Sequence, residues 1–217
     1  MRTRELHRTS RKKVPYPTVA LVGYTNAGKS TLFNRLTKAA VLAEDLLFAT
    51  LDPTMRGEHL PDSTRLILSD TVGFIADLPT ELVAAFRATL EEVLAADVIV
   101  HVRDAAHDET EAQKADVLKV LEDLGADPPM IEVLNKIDLL DEGQRRSLLA
   151  RNHRGEAVAV SALTGEGIDD LLAAFEAAVT RGNITLKLDL PAEDGEALAF
   201  AYRHAQVLER RERAGRI

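Results

Sequence analysis

The chain has 217 residues, 46% of them hydrophobic and 29% charged, with a formal charge of −8 and no cysteine. Such a length suits one domain with extensions. The missing cysteines exclude a disulfide framework and any thiolate metal site. No apolar run reaches the roughly eighteen residues of a membrane span, and no apolar stretch follows Arg2, Thr3 and Arg4 as a secretory signal would require. The expectation is a cytoplasmic protein with no membrane insertion.

Charge is unevenly spread. Residues 1–13 carry +5 and the tail from Arg203 carries +3, which leaves −16 on the body between them. Basic ends on an acidic body could touch RNA, although solvated termini have the same composition. Residues 1–16 read as a basic arm, with Pro15 breaking any element.

Thr18–Val22 is an apolar run suited to a first strand, and Lys29–Thr37 opens a helix. From Ala39 to Met55 the pattern blurs and Pro53 interrupts it, as in a mobile loop. Arg65–Asp70 reads as a strand ending in an acid, and Glu81–Leu94 shows one apolar helical face. Val98–Val102 is nearly continuous in apolar residues, the mark of a strand covered on both sides. A helix through Val117, Leu118, Leu121 and Leu124 stops before Gly125 and Pro128, and Met130–Leu134 is another strand. Gln144–Ala150 suggests a short helix, Ala157–Val160 a short strand, and Ile168 to Val179 a helix ended near Gly182. Alternating strands and helices imply an α/β fold, a P-loop three-layer sandwich with a mostly parallel sheet and helices on both faces. Residues 17–182 would form that domain. Beyond it, residues 183–217 predict a strand at Ile184, Leu186 and Leu188 and a helical run from Glu196 to Arg213, an extension or part of a second domain.

Chemistry concentrates at the strand ends. Gly23, Tyr24, Thr25, Asn26, Ala27, Gly28, Lys29 and Ser30, followed by Thr31, lie between a strand and a helix start. Backbone N–H groups of such a loop converge on one concavity, and the helix N-terminus adds partial positive charge there. Lys29 would reach β- and γ-phosphates, and the Ser30 hydroxyl would ligate Mg²⁺. Asp70, Thr71, Val72 and Gly73 supply an acid to hold Mg²⁺ through water and a glycine N–H to sense a γ-phosphate. Asn135, Lys136, Ile137 and Asp138 follow the Met130–Leu134 strand. A carboxylate at Asp138 would accept from guanine N1–H and the exocyclic amine, a pattern adenine lacks. Asn135 can bond the base and brace the P-loop, while the Lys136 stem covers the ring. Ser161, Ala162 and Leu163 could turn a backbone N–H toward the guanine oxygen. GTP and GDP are the expected ligands.

These stretches resemble the translation-factor-related class of P-loop GTPases and, more closely, the HflX family. GYTNAGKSTLFNRLT, LFATLDPT, DTVGFIADLP, NKID and SALTG carry the likeness, which spans Pro17 to Thr180. The resemblance implies a Mg²⁺-dependent GTPase that associates with the large ribosomal subunit and its rRNA, and a monomer without a DNA partner. Family members also carry an N-terminal domain that contacts rRNA, which this sequence does not contain. The likeness further aligns Thr50, within Phe48, Ala49, Thr50, Leu51 and Asp52, with a switch threonine that joins Ser30 and Asp70 at Mg²⁺; Thr54 competes for that role. Lys29, Thr50 and Gly73 are thus the catalytic candidates. In related GTPases an asparagine at the place of Asn26 helps to hold K⁺, so K⁺ is a further candidate cofactor; turn geometry is the other reason for an asparagine there.

Phe74 stands where a water-orienting glutamine is familiar, and a phenyl ring cannot orient water. Intrinsic turnover is therefore expected to be slow, on the order of 10⁻⁴ to 10⁻² s⁻¹, and to rise with a partner. A binding module that hydrolyses only when activated, or a P-loop kinase, are the competing readings. The ordered motifs disfavour the kinase.

Overall fold

The structure is a computed structural model of the chain, and it describes residues 16–38, 54–61, 64–71, 73, 92–152, 155, 157–181, 186–205, 207, 209–213 and 215–217. Two compact units divide it, one spanning Tyr16–Val179 and a smaller one that contains Thr180–Ile217.

Six strands of the larger unit form one sheet: β1 (Thr18–Val22), β2 (Thr54–His59), β3 (Arg65–Asp70), β4 (Val98–Asp104), β5 (Met130–Asn135) and β6 (Val158–Ala159). Their order is β2-β3-β1-β4-β5-β6. All neighbouring pairs are parallel except β2 with β3. The chain order switches direction at β1, so the crevice beyond its carboxyl end is where such a sheet accepts ligands. Helices α1 (Lys29–Thr37), α2 (Thr110–Asp123), α3 (Glu142–Asn152) and α4 (Ile168–Val179) belong to this unit.

The strand pleat sorts side chains into two cores. Val19, Leu21, Val98, Val100 and Val102 meet Leu32, Phe33, Leu171 and Phe175 on one face. Val22 and Ile99 meet Val93, Val117 and Leu121 on the other. Burial on both faces explains why β4 reads as an unbroken apolar run, and its burial is continuous from Val98 to Arg103.

Polar residues interrupt the second core. His101 and Arg103 on β4 are almost fully buried. Arg103 donates to Glu132 and to Glu111, the latter at 2.5 Å, and Lys114 reaches Glu132 at 2.8 Å. Burial alone would raise the Glu132 carboxyl, but the hydrogen bonds from Lys114 and Arg103 outweigh it and hold it low. His101 is pushed down to about 4, first by burial and then by the charges of Arg103, Lys114 and Lys29, against an opposing pull from Glu132. Its Nδ1 meets no hydrogen-bonding partner among the described residues. The unfolded chain therefore binds a proton near pH 6.5 that the fold refuses until about 4. Stability present above pH 6.5 should fall as pH drops toward 4, by about 3 kcal/mol at most. Urea titrations across that window should show the slope in the wild type and a flatter profile in His101→Asn.

Three expectations need correction. The sequence predicts a loop from Ala39 through Met55, yet Thr54–His59 pairs with β3 from Thr54↔Asp70 to His59↔Arg65. As an edge strand its side chains are mostly exposed, so it lacks the alternation that marks a half-buried one. In the smaller unit, residues 186–190 form no strand, and Leu186 and Leu188 lie exposed. The helical run also ends early. Helix α5 covers Gly195–His204, capped by Asp194, whose carboxylate accepts from the Ala197 N–H. At Ala205 the backbone turns extended, and the chain returns so that Leu190 and Ile217 exchange N–H···O bonds while the Ala192 N–H donates to the Gly215 carbonyl.

Candidate functional site

β1 delivers the chain to Gly23, and the turn into α1 needs left-handed backbone at Asn26 (φ 59) and Gly28 (φ 88). Asparagine tolerates that conformation better than most residues, so Asn26 suits the turn. At Gly28 a Cβ would lie 2.3 Å from Asn135 Nδ2, so conformation and space both exclude a side chain. α1 begins with no side-chain cap hydrogen bond, and the N-terminus of a helix favours an anionic acceptor.

Lys29 is buried, and its Nζ donates to the Tyr24 carbonyl at 2.8 Å. Burial pushes its ammonium down to about 8, partly opposed by the Asp70 charge. An anion placed beside it would offset that cost. Ser30 Oγ donates to Asp70 Oδ2 at 2.8 Å. Thr25 lies against Gly73: a Cβ on that glycine would come within 2.8 Å of Thr25 Cα and 3.1 Å of Lys29 Nζ. Thr71 is buried with its hydroxyl on the Leu21 carbonyl, which anchors this segment to β1. Tyr24 packs its ring on the second core. Thr31, in the first turn of α1, is half-buried. Phe48, Ala49, Thr50, Leu51, Asp52, Val72 and Phe74 lie outside the described residues.

The loop after β5 supplies the other half. Asn135 is 1% exposed. Its Nδ2 donates to the Ala27 carbonyl at 2.9 Å, and its Oδ1 accepts from the Ala162 N–H at 3.0 Å. One side chain thereby ties the P-loop to the Ser161–Leu163 loop. Lys136 adopts left-handed backbone, runs its stem past Gly28, and forms a 2.7 Å ion pair with Asp104 at the end of β4. Ile137 is buried beneath the loop. Asp138 accepts from Ser161 Oγ at 2.5 Å, and the same hydroxyl accepts from the Thr164 N–H at 3.0 Å. Of the N–H groups in Ser161–Leu163, the first donates to Glu166 O and the second to Asn135. The Leu163 N–H makes no hydrogen bond to a described residue, and this narrows which amide can read a base.

Among the described residues no cluster of three histidine, cysteine or acidic side chains could hold a metal alone. The hydroxyl and carboxylate of Ser30 and Asp70 are hard oxygen donors, which suit Mg²⁺, an ion that takes oxygen ligands and keeps several waters or phosphate oxygens. Two bracing residues escape sequence reading. Asp104 holds Lys136, and Arg35 on α1 reaches the carbonyls of Ala162 and Leu163. A single charged residue on a strand end or helix face carries no spacing that points to a distant loop.

The family described as "50S ribosome-binding GTPase" matches residues 18–136, and the "HflX C-terminal domain" matches residues 148–215. The second match begins inside the larger unit, so the two ways of dividing the chain do not coincide. A protein of Magnetococcus marinus named GTPase HflX is 53% identical over 213 residues, covering 97% of this chain and 49% of that protein. The chain thus spans about half the length of the curated relatives it matches. Among solved structures, the complex of SsGBP with GDP is similar at a TM-score of 0.63 and 26% identity, over 78% of this chain and 51% of that one. Era in complex with MgGDPNP and a 16S rRNA segment is similar at a TM-score of 0.60 and 25% identity, over 79% of this chain and 59% of that one. No described helix is long and apolar enough to cross a membrane.

Proposed function

The chain belongs to the HflX family, and from that premise we propose that it binds GTP and GDP, hydrolyses GTP to GDP and phosphate, and acts as a nucleotide switch on the large ribosomal subunit. The observation that carries the reading is the Asn135 brace, because it builds a phosphate loop and a base-reading loop into one site. Lys29, buried beside Asp70 and under the P-loop, is charged at neutral pH and meets the β- and γ-phosphates. Ser30 would ligate Mg²⁺ and Asp70 would hold it through water, joined by Thr50, and the Gly73 N–H would meet the γ-phosphate. Mg²⁺, when bound, would neutralise charge developing on the β- and γ-phosphate groups. Asp138, fixed by Ser161, accepts from the guanine N1–H and 2-amino group. Leu163 turns its N–H to the 6-oxygen. Asn26 is the residue through which K⁺ would act.

Association with the large subunit rests on the family description "50S ribosome-binding GTPase"; Era, crystallised with MgGDPNP and a segment of 16S rRNA, supports ribosomal RNA as a partner class without pointing to that subunit. The relatives' greater length leaves room for further contacts outside this chain.

Base selection is the direct test. Asp138→Asn should weaken GDP by about a hundredfold or more and improve binding of xanthosine diphosphate, whose 2-oxo group suits the asparagine amide. Competition against a fluorescent guanine nucleotide measures both. An Asp138→Asn protein with wild-type preference for guanine would remove the assignment.

A further inference from the structure

Arg35, in the last turn of α1, is exposed to solvent yet engaged. Its Nε donates to the Ala162 carbonyl at 3.0 Å, and Nη2 donates to the Leu163 carbonyl. One planar fork therefore holds two successive carbonyls of a loop far away in sequence.

The peptide unit is planar, so fixing a carbonyl fixes the N–H on the other side of the same plane. The Ala162 carbonyl shares its plane with the Leu163 N–H, the amide that donates to no described residue. The Leu163 carbonyl shares its plane with the Thr164 N–H, which donates to Ser161 Oγ at 3.0 Å, and Ser161 Oγ in turn donates to Asp138 Oδ1 at 2.5 Å. Both groups assigned to reading the purine edge are thus oriented from one guanidinium. Asn135 holds the same loop from its other side through the Ala162 N–H, so Arg35 and Asn135 fix the Ala162 backbone from two directions.

We propose that Arg35 is a positioning residue for purine selection, aiming the Leu163 N–H at a 6-oxo group and steadying Asp138 through Thr164 and Ser161. The inference rests on the guanine nucleotide reading above and adds the residue that sets its discrimination between 6-oxo and 6-amino purines. A 6-amino group presents a donor to the Leu163 donor. It is rejected only as firmly as that amide is held.

The experiment compares GDP with 2,6-diaminopurine riboside diphosphate, which keeps the 2-amino group, replaces the 6-oxygen by an amine and loses the N1–H, so that it probes both groups that Arg35 orients, the Leu163 N–H and Asp138. Dissociation rates and competition constants are measured for the wild type, Arg35→Met and Arg35→Lys. Methionine keeps the apolar stem and loses both donors; lysine keeps the charge but not the fork. Arg35→Met should release GDP about five- to tenfold faster and narrow the preference for GDP over the 6-amino analogue several-fold. Arg35→Lys should fall between the two. The thermal midpoint of the nucleotide-free protein should barely move, because Arg35 is exposed. Equal weakening of both ligands, with the ratio unchanged, would reduce Arg35 to a merely structural brace and overturn the proposal. A wild type that binds ADP as tightly as GDP would instead overturn the guanine reading, and this inference with it.

Discussion

Asn135→Ala should abolish nucleotide binding at micromolar concentrations, a loss of at least about a hundredfold, while the protein still folds. The side chain is 1% exposed and makes two hydrogen bonds, to the Ala27 carbonyl and from the Ala162 N–H. Truncation leaves a buried acceptor and a buried donor without partners, at about 1–3 kcal/mol each. Stability should therefore fall by about 2–6 kcal/mol. The larger consequence is geometric, because the P-loop and the base loop lose the link that sets their spacing. Asn135→Asp makes a sharper control: it keeps an acceptor for Ala162 but turns a carboxylate oxygen toward the Ala27 carbonyl, and it buries a charge. It should bind no better than the alanine variant. A second check is reciprocal. Gly28→Ala places a methyl 2.3 Å from Asn135 Nδ2, so the two substitutions should combine less than additively, each having already broken the same contact. Fluorescent nucleotide titration and thermal unfolding with and without GDP measure all of this. An Asn135→Ala protein that retains GDP with near-native affinity would show that the brace does not set the site.

The parts of this site that are legible in sequence are those whose chemistry dictates residue type and spacing together. Gly28 must lack a Cβ, Lys29 must follow it, and Asp138 must stand three residues past Asn135 on the same loop. The double use of Asn135 is only half legible: its chemistry announces a bridge, but its second partner, Ala162, is distant in sequence and becomes visible only when β5 and β6 pair. Arg35 and Asp104 are not legible at all, since a lone charge has no period. The same distinction runs through the fold. β4 and β5 declare themselves because burial forces apolar residues into unbroken runs. β2 does not, being an edge strand of mostly exposed residues. Beyond His204 the composition still favours helix. The backbone nevertheless turns extended at Ala205, and the chain returns to pair Ile217 with Leu190, a long-range bond that local propensity cannot register.

Arg103→Met should be the most damaging single change away from the nucleotide, costing about 3–5 kcal/mol, a large share of the ordinary 5–15 kcal/mol of a domain. The guanidinium is 5% exposed and its partner Glu132 is 18% exposed, both in the layer between the sheet and α2. Removing the cation leaves Glu132 with Lys114 alone, in a place where an undercompensated carboxylate is expensive. By contrast, Glu111 is 79% exposed, so its 2.5 Å contact with Arg103 is screened by water. Glu111→Ala should cost less than about 1 kcal/mol. The two effects differ because of burial, not distance. If that account holds, Arg103→Met combined with Glu132→Leu should recover most of the loss, since the pair is then replaced by apolar volume and Lys114, 28% exposed, can swing its ammonium into solvent. Urea denaturation of the four proteins decides the matter. Equal costs for Arg103→Met and Glu111→Ala, or no recovery in the double variant, would mean that the network is not what holds α2 to the sheet. The result also bears on the nucleotide. Arg103 and Asp104 are consecutive on β4, one pinning α2 and the next holding Lys136 at 2.7 Å. A destabilised Arg103 variant that still folds should therefore release nucleotide faster than Glu111→Ala does, because the end of β4 that carries Asp104 is no longer anchored.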